Sequence, residues 1–127
     1  MSKYVLDASA VLALLNQEPG MNRVGEVLAE SCISAVNYCE VLTKLLEAGM
    51  PEQTARESLE FLDIETVNFD LDLAHLAAVL RPTTKKLGLS LGDRSCLALA
   101  LSRSNPAVTA DAIWLKLKIG VNIEFIR

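Results

Sequence analysis

At 127 residues, 51% of them hydrophobic and with only six glycines and four prolines, the chain has the size and composition of one globular domain spanning 1–127, which excludes a disordered or fibrous protein. A formal charge of −4 hides a split: residues 1–80 hold four Lys or Arg against thirteen Asp or Glu, and 81–127 hold eight against three. No apolar run reaches the ~18–20 residues of a membrane span, and Cys32, Cys39 and Cys96 lack disulfide-framework or zinc spacing, which leaves buried reduced thiols in a cytoplasmic protein.

Lys3 to Asp7 reads as a short buried strand that stops at an acid, and Ala8 to Asn16 continues with apolar residues at helical spacing. Asp7 interrupts the apolar stretch Val5 to Leu15, only Lys3 charges its front, and no clean cleavage site follows, so no secretion signal is expected. Pro19-Gly20 breaks the helix, and a second one over 21–31 sets Val24, Val27 and Leu28 on one face. Cys32-Ile33-Ser34 is a second strand, Ser34 caps the next helix, and that helix stops at Ala48-Gly49 with Glu40 in its second turn.

Pro51 to Leu62 has the spacing of an amphipathic surface helix with Pro51 at its first position. Glu65 to Phe69 is a third strand. Asp70 to Leu80 forms a helix that turns Leu73, Leu76, Ala77 and Leu80 inward and is ended by Pro82. A short basic turn leads to Leu91–Ser102, a central buried helix whose only polar entry is Asp93, Arg94 and Ser95. Ala107 to Asp111 is a fourth strand ending at an acid, a short helix carries Trp114, and Val121 to Phe125 is a fifth strand. Strands alternating with helices imply an α/β fold, with a parallel sheet of about five strands covered on both faces.

Ligands of such sheets bind beyond the carboxyl ends of the strands, where strand order reverses. Asp7 and Asp111 both fall at strand ends, and adjacent strands would bring them face to face. Glu40 reaches the same crevice from the helix after the second strand, and its neighbours Tyr38, Cys39, Val41 and Leu42 make a solvated charge there a wasted face. Asp93 reaches it from the first turn of the central helix, where the dipole favours an anion. Each acid also has a plainer use as a helix cap or first-turn charge. Four converging carboxylates repel one another and call for a cation, and an all-oxygen donor set suits Mg²⁺ or Mn²⁺ rather than zinc. His75, the only histidine, reads as an ordinary helix residue.

Ser9 and Thr109 lie close to the strand-end acids and could hydrogen-bond a carboxylate or metal-bound water, or serve only as caps. Arg94 could neutralise the cluster or hold a phosphate, or form a surface ion pair. The charge split permits a locally basic surface near Arg81, Lys85, Lys86, Arg94, Arg103, Lys116 and Lys118, or only a solvated face. The helices at Pro51–Leu62 and Asp70–Leu80 could pack on a second subunit or on their own core.

Tyr4-Val-Leu-Asp7-Ala-Ser9, then Ile33-Ser34 with Glu40-Val-Leu, then Gly88-Leu-Ser-Leu-Gly-Asp93-Arg94, then Val108-Thr109-Ala-Asp111 with Trp114, resembles PIN-domain proteins of the VapC toxin type over essentially the whole chain. One departure is Ala112-Ile113 after Asp111, where many relatives carry arginine. The resemblance implies a three-layer α/β/α nuclease domain and a Mg²⁺- or Mn²⁺-dependent endoribonuclease. It also implies a homodimer silenced by a small antitoxin, with Asp7, Glu40, Asp93 and Asp111 as the catalytic and metal-binding acids. The alternatives are a PIN nuclease of RNA processing without an antitoxin, a receiver-like module, and a catalytically inactive α/β binding module. A receiver needs an acidic pair after the first strand, and a haloacid-dehalogenase phosphatase needs Asp-x-Asp. Asp7-Ala-Ser9 supplies neither.

Overall fold

The computed structural model describes residues 2–127. Five strands, β1 (Tyr4–Leu6), β2 (Ser31–Ser34), β3 (Glu65–Val67), β4 (Ala107–Thr109) and β5 (Ile123–Phe125), form one sheet in the order β3-β2-β1-β4-β5. Every pairing is parallel, with Leu6 opposite Ile33 on one side and Val108 on the other. The chain steps outward from β1 through β2 to β3 and then returns to the far side of β1 with β4, so strand order reverses between β1 and β4.

Helices α1 (Ala8–Leu15), α2 (Met21–Val27), α3 (Ala35–Glu47) and α4 (Glu52–Phe61) belong to one half of the molecule, and α5 (Leu71–Val79), α6 (Arg81–Thr84) and α7 (Leu91–Arg103) to the other. Successive strand residues point to opposite faces. Leu6, Ile33 and Val108 accordingly join Val11, Val24, Val41 and Leu59 in one core, whereas Val5, Cys32 and Ala107 join Leu73, Ala77, Leu97 and Trp114 in the other. The two cores give the expected three layers, and α7, buried from Ser95 to Ala100, is the central helix.

Most elements lie where the apolar periodicity puts them, with shorter strands. Asp70 caps α5 by accepting from the Leu73 amide, and Ser34 caps α3 by accepting from Val36. Pro82 does not end the chain's helical path. It sits in the first turn of α6, where its missing N–H would have had no intrahelical partner, and a 3₁₀ turn over Lys85–Leu87 follows where a plain basic turn was expected. Pro51 precedes α4 as its N-cap rather than opening it. The helix expected over 21–31 ends at Val27, continues as a 3₁₀ turn over Leu28–Glu30, and yields Ser31 to β2. Cys32 and Cys96 are buried as expected, but Cys39 is exposed because it lies on the outer side of α3.

Candidate active site

Asp7 is placed by the meeting of β1 and α1. Its backbone N–H donates to the Val108 carbonyl of β4 (3.1 Å), and its carboxylate accepts from the Ala10 amide (2.8 Å) as the cap of α1. Capping and a place in the crevice are therefore not alternatives for this residue. Two hydroxyls add to the amide: Ser9 Oγ donates to Asp7 Oδ1 at 2.7 Å, and Thr109 Oγ1 donates to Oδ2 at 2.6 Å. Each hydroxyl in turn accepts from the backbone just beyond β4, Ser9 from the Ala110 amide (2.8 Å) and Thr109 from the Asp111 amide (3.0 Å). Because the amides occupy hydroxyl lone pairs, the hydroxyl protons are turned toward Asp7. The carboxylate is thereby stitched to the ends of both central strands.

The other acids arrive from three further elements. Asp111, beyond β4, accepts from the Ile113 amide (3.0 Å) and stays exposed. Glu40 lies on α3, where Asn37, one turn earlier on the same face, donates to its Oε1 at 2.7 Å and to the Gly92 carbonyl at 3.0 Å. Asp93 enters on the first turn of α7 in a capping box, accepting from the Ser90 amide (2.9 Å) while its own amide donates to Ser90 Oγ (3.2 Å). Gly92 admits this arrangement, since a Cβ there would overlap the Glu40 carboxylate.

A cavity of about 210 Å³ at the switch point is lined by Asp7, Glu40, Asp93 and Asp111 together with Ser9, Asn37 and Lys44. All four acids singled out from the sequence thus share one wall. Larger hollows of about 500 and 310 Å³ open at the opposite end of the strands, beside Arg103 and Asn105 and beside Gly120 and Asn122, but neither gathers carboxylates. Convergent chemistry, not size, distinguishes the acidic cavity.

The acids do not close on a common centre unaided. Among the described residues no three Asp, Glu, His or Cys stand at the spacing needed to hold one ion. Each carboxylate is instead engaged by its local donors. Burial is the largest influence on Asp7, which is 4% exposed, and pushes it up to about 6, with the Asp93 charge adding to the rise and the bonds from Thr109, Ala10 and Ser9 opposing it. Glu40 is raised for the same reasons, chiefly burial, against the pull of Asn37 and Lys44. Two carboxylates are thus held at a disadvantage in their charged form, and extra positive charge in the cavity would relieve both.

Arg94 is not at this site. It follows Asp93 by one residue, about 100° round the helix, so with Asp93 facing the cavity it turns to α5 and donates to the Ala77 carbonyl at 3.0 Å. It makes no surface ion pair among the described residues, and its guanidinium is directed to α5 rather than into the acidic cavity. Arg103 and Arg81 are likewise engaged, with Glu65 and with the Leu89 carbonyl, while Lys85, Lys86, Lys116 and Lys118 are exposed. The basic surface is consequently smaller than the residue count suggests. His75 is an exposed helix residue.

Two lining residues escaped sequence reasoning. Asn37 and Lys44 flank Glu40 at three positions before and four after, so helical spacing from one suspected acid is the signal that finds both. Asn37 carries a further signal, being a polar side chain on the apolar side of its helix.

A parallel α/β sheet with carboxylates gathered where strand order reverses defines a protein whose site is built on strand ends rather than in an interdomain cleft. More narrowly, the chain belongs to the PIN domain family, whose pattern matches residues 4–119. No curated protein sequence matches it. Among solved structures it is similar to DNA-bound VapBC from Salmonella typhimurium, with a TM-score of 0.79 at 20% identity over 100% of both chains. It is similar also to the sarcin-ricin loop cleaving toxin VapC20 from Mycobacterium tuberculosis, at 0.73 and 16% identity over 94% of this chain and 98% of that one. VapBC-5, a member of the VapBC family of toxin-antitoxin systems from the same organism, gives 0.66 at 26% identity over 98% of both.

Proposed function

We propose that the chain, as a single domain over 1–127, is a metal-dependent endoribonuclease and the toxin of a toxin-antitoxin pair. The observation that carries this reading is the convergence of Asp7, Glu40, Asp93 and Asp111, from four different elements, on one cavity at the switch point of a PIN fold. The cavity offers oxygen donors and neither cysteine nor histidine, which suits Mg²⁺ or Mn²⁺. A buried carboxylate raised to about 6 fits the same group, because a bound dication supplies the missing counter-charge. Asp7 and Glu40 would anchor the ion. Asp93 and Asp111, on the same cavity, would be its further oxygen donors.

Held by these acids, a divalent cation would supply Lewis-acid stabilisation of the negative charge that develops on the scissile phosphate. The chain's own groups do the rest. Ser9 and Thr109 hold the Asp7 carboxylate in one orientation, and Lys44 at the cavity mouth meets an incoming phosphate. The exposed lysines 85, 86, 116 and 118 attract the flanking backbone, so that binding weakens as salt rises. The reaction is hydrolysis of an RNA phosphodiester bond.

Toxin–antitoxin assemblies among the similar structures support a small antitoxin as partner; a homodimer and a cytoplasmic setting belong to the same reading through the resemblance to the VapC type. No helix among the described residues is long and apolar enough to cross a membrane. The test is cleavage of cellular RNA by purified protein with Mg²⁺ or Mn²⁺, beside Asp7→Asn and a chelator control. An Asp7→Asn protein as active as the parent, with contaminating nucleases excluded, would overturn the proposal.

A further inference from the structure

We propose that Asn37 is a positioning residue which sets Glu40 across the first turn of α7 and so assembles one side of the cation site; the inference rests on reading the acids as such a site. Asn37 is buried, 1% exposed, in the wall of the crevice. Its amide nitrogen is fully committed, one hydrogen to Glu40 Oε1 at 2.7 Å and the other to the Gly92 carbonyl at 3.0 Å. Both partners are acceptors, so the amide has only one workable orientation.

That orientation leaves Asn37 Oδ1 buried without a partner. An unpaired buried carbonyl opposes folding, and an aliphatic side chain would fill the position without that penalty. Packing therefore does not explain an asparagine here, whereas holding a carboxylate does. Gly92 is the complement of the same device, because any Cβ there would occupy the space of the Glu40 carboxylate. Asn37 also grips the residue immediately before Asp93, so one side chain fixes Glu40 on α3 and the backbone that presents Asp93 on α7. The two helices pack against each other at this point, which makes the grip a joint between the two halves of the acidic wall.

The experiment is a double-mutant cycle with Mn²⁺ alone as the probe: calorimetric titration of the parent, Asn37→Ala, Glu40→Gln and the double variant, with thermal melts in chelator. The expected result is an Mn²⁺ affinity about 10–100-fold weaker in N37A, the usual effect of losing a group that orients a ligand. Its melting temperature should be unchanged or higher, and in the double variant the loss from N37A should be smaller than in the parent background, since part of what Asn37 does is exerted through Glu40. Parent-like affinity in N37A, or a double variant that adds the two losses in full, overturns the inference. Should N37A fail to fold, Asn37→Ser takes its place in the cycle with the same expectations. A metal-free crystal structure of the variant gives a reading independent of any cation: Glu40 leaving Gly92 supports the inference, and Glu40 staying there overturns it. If the parent itself binds no Mn²⁺, the cation-site reading falls and that crystal structure alone decides the role of Asn37.

Discussion

Asp7→Asn is expected to make the metal-free protein more stable while removing the function proposed for it. The change is nearly isosteric, and the surroundings accept it: Asn Oδ1 takes the Ala10 amide proton, and the Ser9 or Thr109 hydroxyl rotates to accept from the new Nδ2. Burial raises the Asp7 carboxyl from 3.8 to about 6. At ~1.36 kcal/mol per pH unit, charging it inside the fold rather than in the unfolded chain costs about 3 kcal/mol at neutral pH, and roughly 2–3 once relaxation is allowed for. The sign follows from the direction of the shift. A carboxyl that binds its proton more tightly when folded contributes fully below 3.8, and that contribution is lost as pH rises through about 6. Replacing it with an amide removes the loss. Urea titrations in chelator should give an advantage for the variant of well under ~1 kcal/mol near pH 4, growing to about 2–3 kcal/mol at pH 7.5. A variant less stable than the parent at pH 7.5, or equally favoured at both pH values, would refute the reasoning.

Gly92→Ala, which by helix propensity alone should help α7, is expected instead to expel the Glu40 carboxylate and lower RNA cleavage by about tenfold or more, read as initial rate at saturating Mn²⁺. Thr109→Val removes the 2.6 Å donor to Asp7 and the acceptor for the Asp111 amide, so Asp7 should titrate higher and the pH midpoint of Mn²⁺ binding should move upward; an unmoved or lowered midpoint would contradict that bond's role. Leu97→Ala, in the fully buried stretch of α7, should cost about 2–5 kcal/mol in denaturant unfolding, against a negligible change if α7 were peripheral.

The strand-end acids are legible in the sequence because a short apolar run that stops at Asp7 or Asp111 has few structural alternatives. The order of the elements follows from alternating periodicities. Glu40 stands out for its apolar neighbours, and Asp93 for its place after Ser90 at the start of an apolar helix. What is not legible is where a side chain turns once its helix is docked. Arg94 beside Asp93 looks like part of the site in one dimension, but a step of about 100° along α7 sends it to α5. Asn37 can be flagged by its spacing from Glu40, but its second partner is not legible until the packing of α3 on α7 brings the Gly92 carbonyl, 55 residues away, within reach of its amide. Cys39 fails for the related reason that burial depends on which side of α3 meets the sheet. Pro82 shows that a proline marks a change of helix only when its position in the turn is known, and Leu80–Arg81 lets a new helix begin there.

The convergence of the four acids on a shared cation is tested most directly by anomalous diffraction from crystals soaked in manganese. A peak inside the cavity lined by Asp7, Glu40, Asp93 and Asp111, within ligand distance of the Asp7 carboxylate, is the expected result. A map without density there, from protein that still cuts RNA in the same manganese solution, would contradict it.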